Sequence, residues 1–125
     1  MLRPGPSAAA EIVACGTCRG GEGAALAVAL RRVRAADPAY GGLVVHEMPC
    51  LFACGDGCAV HLRGPGKIAY VLGRFEPSDE AARAILDYAR AYAGSAEGEV
   101  AFGDWPDGVK GHFLVRTPPP GYLIE

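Results

Sequence analysis

The chain has 125 residues and a formal net charge of −2, which predict a single domain without a basic surface for nucleic acid or an anionic membrane. Half of the residues are hydrophobic and 21% are charged, and this balance excludes an intrinsically disordered chain. No apolar run approaches the ~18 residues of a membrane span, and no signal-peptide pattern opens the chain. We therefore expect a cytoplasmic protein in a reducing compartment.

The apolar spacing predicts strands and helices in the order β-α-β-β-β-α before residue 95. The first three elements form a βαβ unit, so the first two strands should be parallel and joined by a right-handed crossover. Asp37-Pro38 ends the first helix and Gly94 ends the second. The predicted strands are 11–14, 43–47, 58–62 and 67–72, and the predicted helices are 22–36 and 78–94.

Three regions follow from this pattern. We predict that residues 1–10 form a flexible N-terminal arm, because two prolines and a glycine would interrupt any helix there. We predict that residues 11–94 form the folded α/β domain. We predict that residues 95–125 form a C-terminal extension that packs on the domain or at a dimer interface. Within the extension, 100–102 and 112–115 are predicted short strands.

The cysteines are the unusual feature of the composition. Five occur, all between positions 15 and 58, and they are too few for a secreted disulfide scaffold. Cys15 and Cys18 follow the first strand, and Cys50 and Cys54 lie between the second and third strands. Since the first two strands are parallel, both loops leave the same edge of the sheet and can form one four-thiolate site.

Four thiolates suit either a Zn²⁺ ion or an iron–sulfur cluster. Structural Zn sites prefer tight knuckles, often C-x2-C twice, whereas the second pair here is C-x3-C. Gly55 and Gly57 follow that pair, and glycines allow backbone N–H groups to approach cluster sulfurs closely. These features favour a 2Fe–2S cluster, with Zn as the alternative cofactor.

Two strings of the sequence carry a resemblance to a known group of proteins. The string PCLFAC at 49–54, a glycine-containing turn and a strand ending in YVLG at 70–73 resemble the thioredoxin-like 2Fe–2S ferredoxins and the small iron–sulfur subunit of respiratory NADH dehydrogenase. The element order matches as well, over about residues 11–93. The resemblance implies a thioredoxin-like α/β fold with a four-stranded mixed sheet, an iron–sulfur domain at 11–94, a redox partner protein and a homodimer.

The whole chain is more closely similar to a bacterial family of predicted small metal-binding proteins, a domain of unknown function. The shared strings are CGTCR at 15–19, PCL at 49–51 and RTPP at 116–119. Some members of this family lie near genes of cobalt and cobalamin metabolism. The resemblance therefore implies a link to that metabolism.

The ferredoxin resemblance implies that Cys15, Cys18, Cys50 and Cys54 are the metal ligands. The first pair is tighter than the spacing usual in those ferredoxins, and the fifth cysteine is additional to their pattern. Cys58 is therefore a candidate additional ligand, able to replace Cys15 or Cys18, or else a buried core residue.

Further residues are candidates for the surroundings of the metal. The positive charge of Arg19 would stabilise an anionic cluster, although a solvated arginine fits its position as well. Gly55 and Gly57 would bring backbone N–H groups to the cluster. His46 and His61 lie within strands, and we predict surface or hydrogen-bonded histidines there rather than ligands.

Two alternative functions remain, a metal-binding or metal-delivery module for Zn or cobalt and a thioredoxin-type dithiol oxidoreductase that uses Cys15 and Cys18. Cys15 and Cys18 precede a helix, whose N-terminus lowers the pKa of a thiol. That interpretation leaves Cys50, Cys54 and Cys58 unexplained. The sequence shows no nucleophile–base pair and no phosphate-binding loop, so we predict no catalytic residue. We therefore expect an electron carrier rather than an enzyme.

Overall fold

The computed structural model describes residue 2, residues 9–51 and residues 57–125, with the backbone alone at positions 18 and 19. Its strands are β1 (Ala10–Cys15), β2 (Leu43–Met48), β3 (Val60–Arg63), β4 (Ala69–Leu72) and β5 (Phe113–Thr117), and its helices are α1 (Glu22–Ala36) and α2 (Asp79–Ala93). The strands form one sheet in the order β2-β1-β3-β4-β5. Strands β1 and β2 are parallel, and the other neighbours are antiparallel.

The predicted α/β class, the element order and the parallel first pair are confirmed. The sheet has five strands rather than the predicted four, because β5 from the C-terminal extension pairs with β4. The strand expected at 100–102 is wrong, since Phe102–Asp104 forms a 3-10 turn. Gly103 lies in that turn and Pro106 follows it, and neither residue suits a strand.

Local sequence sets the ends of both helices. Helix α1 follows Gly21, whose φ of 114° is a conformation that glycine adopts without strain. It ends before Pro38, which lacks a backbone N–H and disfavours helix at the residue before it. Helix α2 begins after Ser78, whose Oγ accepts a hydrogen bond from the N–H of Ala81 at 3.1 Å. Residues 15–18, called the first cysteine turn, thus lie at the junction between β1 and α1. The segment that begins at Cys50 is called the second cysteine turn or loop.

The main core lies between one face of the sheet and both helices. Ile12 and Leu62 contribute from the central strands, and Leu30 and Leu86 contribute from α1 and α2, with each side chain buried. Each such burial contributes about 1.5–3 kcal/mol. Because side chains alternate along a strand, every second strand residue lies on the opposite face of the sheet.

Aromatic rings join the C-terminal segment to this core. The ring of Trp105 lies 5.9 Å from that of Tyr88 and 4.6 Å from that of Phe113, measured between centroids. Tyr70 on β4 contacts Phe113 edge-on at 5.4 Å. Phe102, in contrast, is 64% exposed. Strand β5 and Trp105 therefore pack on the α2 side of the sheet.

The N-terminal arm predicted at 1–10 lies mostly outside the described residues, and its last residue begins β1. None of the helices in the described part of the chain combines the length and the apolar character that crossing a membrane would require.

Candidate metal centre

The first cysteine turn is fixed between two other segments of the sheet edge. Strand β1 ends at Cys15, which lies opposite Met48 in the parallel register. The N–H of Cys15 donates to the carbonyl of Ala59 at 3.0 Å, and the N–H of Gly16 donates to the carbonyl of Met48 at 2.8 Å. The backbone around Cys15 is therefore held from both sides by the segments that flank the second cysteine loop.

The first turn also contacts the residue that precedes Cys50. The hydroxyl of Thr17 donates a hydrogen bond to the carbonyl of Pro49. The Sγ of Cys15 lies 3.9 Å from the same carbonyl oxygen. Cys50 follows directly and is partly buried. The two cysteine turns thus meet at one edge of the sheet, which is the arrangement that parallel strands predict.

Glycine at position 16 allows this close approach. A Cβ added to Gly16 would lie 2.4 Å from Oε2 of Glu47 and 3.1 Å from two carbons of that side chain. The Glu47 carboxylate is itself engaged by Arg31, with Nη1 and Oε1 3.4 Å apart. A side chain at position 16 would therefore require the Glu47 side chain to move away from the turn.

Cys15 lies on the sheet face opposite the helices. It is fully buried and forms a small cluster with Ala59, against which Leu51 and Val71 pack. Leu51 belongs to the second cysteine loop, so this loop covers the thiol of the first. An apolar cover of this kind restricts the access of water to any group that Cys15 binds.

Cys58 occupies a different environment from Cys15. It is fully buried in the main core on the helix side of the sheet. Its Sγ lies 3.9 Å from Oε2 of Glu22, the first residue of α1, and a thiol is a donor to a carboxylate. Its φ of 38° is unusual for a residue with a side chain, so β3 begins at Val60 rather than at the predicted position 58.

The other predicted site residues are described only in part. Cys18 begins a 3-10 turn, Cys18–Gly21, that leads into α1, and the side chains of Cys18 and Arg19 lie outside the described atoms. Cys54 and Gly55 lie outside the described residues. Gly57 has a φ of 70°, and its carbonyl accepts a hydrogen bond from the N–H of Arg74 at 2.9 Å.

The described donors fit a thiolate-bound group in chemistry and in placement. Cys15 and Cys50 lie on two turns that are hydrogen-bonded to each other, and Gly16 leaves space where the turns meet β2. Among the described side chains, which exclude Cys18 and Cys54, no three His, Cys, Asp or Glu residues form a group suited to a metal ion.

Two histidines flank the strand that carries Cys15, on the same face of the sheet. His46 and His61 both lie opposite Val13, on β2 and β3 respectively. The Nε2 of His46 lies 3.4 Å from Oε1 of Glu11, which is only 8% exposed, and the Nε of Arg63 lies 3.2 Å from the same oxygen. Glu11 thus pairs with Arg63 across β1 and β3, whereas the buried Nε2 of His46 makes no hydrogen bond within the described residues.

His61 is expected to make stability depend on pH. Burial, and secondarily the charge of Arg63, lower the pKa of His61 below the ordinary histidine value of 6.5. As the pH falls, His61 therefore takes up its proton in the unfolded chain at a higher pH than in the folded protein. The folded protein is accordingly more stable above pH 6.5 and loses stability as the pH falls below that value.

Denaturant unfolding of the native protein and of His61→Gln at about pH 7.5 and about pH 5.5 measures this effect. We expect the free energy of unfolding to fall less between the two pH values in the variant. Equal pH dependence in both proteins would contradict this assignment to His61.

Comparison with solved structures defines the class of fold. The chain is similar to a thioredoxin-like [2Fe-2S] ferredoxin from Aquifex aeolicus, with a TM-score of 0.57 and 19% sequence identity. The similarity covers 94% of this chain and 100% of that chain. The predicted thioredoxin-like fold is confirmed, and at this level of identity the similarity concerns the fold.

Residues 12–119 match the family described as protein of unknown function DUF1636, and the chain belongs to that family. The predicted family resemblance is therefore confirmed. No curated protein matches the chain.

Sequence reasoning overlooked three residues that make long-range contacts with or beside the cysteines. Thr17, Pro49 and Glu22 contact residues 32 or more positions away. Thr17 could have been singled out because it lies inside the C-x2-C string. The position of Glu22 at a helix start gives no signal of its contact with Cys58.

Proposed function

We propose that the protein is a small electron carrier whose Cys15, Cys18, Cys50 and Cys54 hold a 2Fe–2S cluster. The observation that carries the proposal is the contact between the two cysteine turns at one edge of the sheet, made by Gly16 with Met48 and by Thr17 with Pro49. Cys15 and Cys50 lie on the two segments that these contacts join, and Cys18 and Cys54 are close to them in sequence, so the four could supply the thiolates that such a cluster requires. The thioredoxin-like ferredoxin fold adds support.

The residues of the chain would perform three tasks at this centre. A bound 2Fe–2S cluster supplies one-electron chemistry, and the protein tunes it through ligands, hydrogen bonds and solvent access. Leu51 and Val71 exclude water from the Cys15 side. In this proposal the backbone N–H groups around Gly55 and Gly57 donate toward sulfur, and Arg19 supplies positive charge.

The burial of Cys15 argues against a dithiol oxidoreductase. Attack on a disulfide requires a thiolate that the disulfide can reach, and Cys15 is fully buried. Among the described cysteines, Cys50 is more exposed, but it belongs to the other turn.

An electron carrier also requires a redox partner protein. The ferredoxin resemblance extends the proposal to a homodimer, and the family resemblance extends it to a link with cobalt or cobalamin metabolism.

The visible absorption spectrum of protein purified without oxygen from iron-replete cells tests this function. We expect a reddish-brown protein that bleaches on reduction, because the colour of the cluster depends on its oxidation state. A colourless protein that contains zinc would contradict the proposal and indicate a structural metal. A colourless, metal-free protein that reduces disulfides would contradict it in favour of dithiol chemistry.

A further inference from the structure

The carbonyl of Pro49 receives two side-chain contacts from the first cysteine turn. The Thr17 hydroxyl donates to it, and the Cys15 Sγ lies 3.9 Å from it. Pro49 directly precedes Cys50, so the position of this carbonyl determines where the second cysteine pair begins. Thr17 lies between Cys15 and Cys18, so its hydroxyl joins this turn to the residue before Cys50 without being a ligand.

Ligation changes the balance between these two contacts. A metal ligand is a thiolate, so a bound Cys15 has no S–H to donate. Its negative sulfur then lies beside the negative end of the Pro49 carbonyl. Of these two side-chain groups, only the Thr17 hydroxyl retains a hydrogen for that carbonyl. The contribution of Thr17 is therefore larger in the loaded protein than in the apoprotein.

We infer that Thr17 is a positioning residue that keeps Cys50 beside Cys15 once Cys15 is a thiolate. This inference rests on the proposed 2Fe–2S function. A general packing role would affect the apoprotein and the loaded protein equally. A positioning role affects chiefly the loaded protein and requires the hydroxyl rather than the shape of the side chain.

Thr17→Val and Thr17→Ser form a matched pair for the test. Valine keeps the branched shape and removes the hydroxyl, whereas serine keeps the hydroxyl and removes the methyl group. Position 17 is exposed, so both variants are expected to fold. The measurements are the decay of the visible absorption in the presence of a chelator and the denaturant midpoint of each apoprotein.

We expect the Thr17→Val protein to lose its cluster roughly threefold to tenfold faster than the native protein, in line with the loss of one hydrogen bond. Thr17→Ser should lose it within about twofold of the native rate, and the apoprotein midpoints should agree closely. Equal rates of cluster loss in all three proteins would overturn the inference, and so would equally fast loss in both variants. It would also be overturned if the Thr17→Val apoprotein were destabilised as much as the loaded protein. A native protein without any cluster would instead overturn the proposed function itself.

Discussion

Cys50→Ser is expected to abolish the 2Fe–2S absorption, and Cys15→Ser and Cys54→Ser are expected to do the same. A serine hydroxyl is a poor substitute for a soft thiolate ligand of iron. Cys15 and Cys50 lie on the two segments that meet at the sheet edge, and in the proposed centre the loss of either thiolate would leave an open coordination position. The measurement is the visible spectrum together with the iron content of each purified variant.

Cys58→Ser is the matched control for these variants. Cys58 lies in the helix-side core with its thiol 3.9 Å from the Glu22 carboxylate, and a serine hydroxyl can donate to that carboxylate. We expect its spectrum and iron content to remain close to those of the native protein. Loss of the cluster in Cys58→Ser with retention in Cys15→Ser would show that the fifth cysteine is the ligand.

Tyr88→Ala is expected to cause the largest loss of stability among single substitutions in α2. Tyr88 is 1% exposed, and its ring contacts those of Tyr70, Trp105 and Phe113 at centroid distances of 6.3, 5.9 and 5.2 Å. Truncating a buried aromatic side chain costs about 3–5 kcal/mol. The same ring attaches β5 and the C-terminal segment to α2, so both regions should loosen.

Denaturant unfolding followed by the fluorescence of Trp105, the single tryptophan of the chain, measures this loss. Tyr88→Phe keeps the ring and should cost only about 1 kcal/mol. Phe102→Ala, at a residue that is 64% exposed, should change stability by about 0.5 kcal/mol or less. A loss below about 1 kcal/mol in Tyr88→Ala would contradict the role of this ring in the core.

Periodicity was sufficient to predict the order of the first six elements. The β-branched residues Ile12 and Val13 of β1 and the 3.6-residue spacing of α2 are local patterns, and local patterns are visible in one sequence. The pairing of β5 with β4 was not predictable in the same way. Its apolar run is short and ends at the proline segment, and its partner lies more than 40 residues away.

The edge at which the cysteine turns meet followed from the parallel order of β1 and β2. The opposite faces of Cys15 and Cys58 follow from the same side-chain alternation, since Cys58 and Val60 lie in the helix-side core whereas Ala59 packs with Cys15. The contact of Thr17 with Pro49 spans 32 positions and required the fold to be known.

The content of iron and acid-labile sulfide in protein purified without oxygen tests the central claim most directly. The four proposed thiolate ligands should hold one cluster in each chain, with about two irons and about two sulfides. Iron and sulfide in this ratio, lost together in Cys50→Ser and retained in Cys58→Ser, is the predicted result. A native protein free of sulfide would contradict the account, whatever metal it contained.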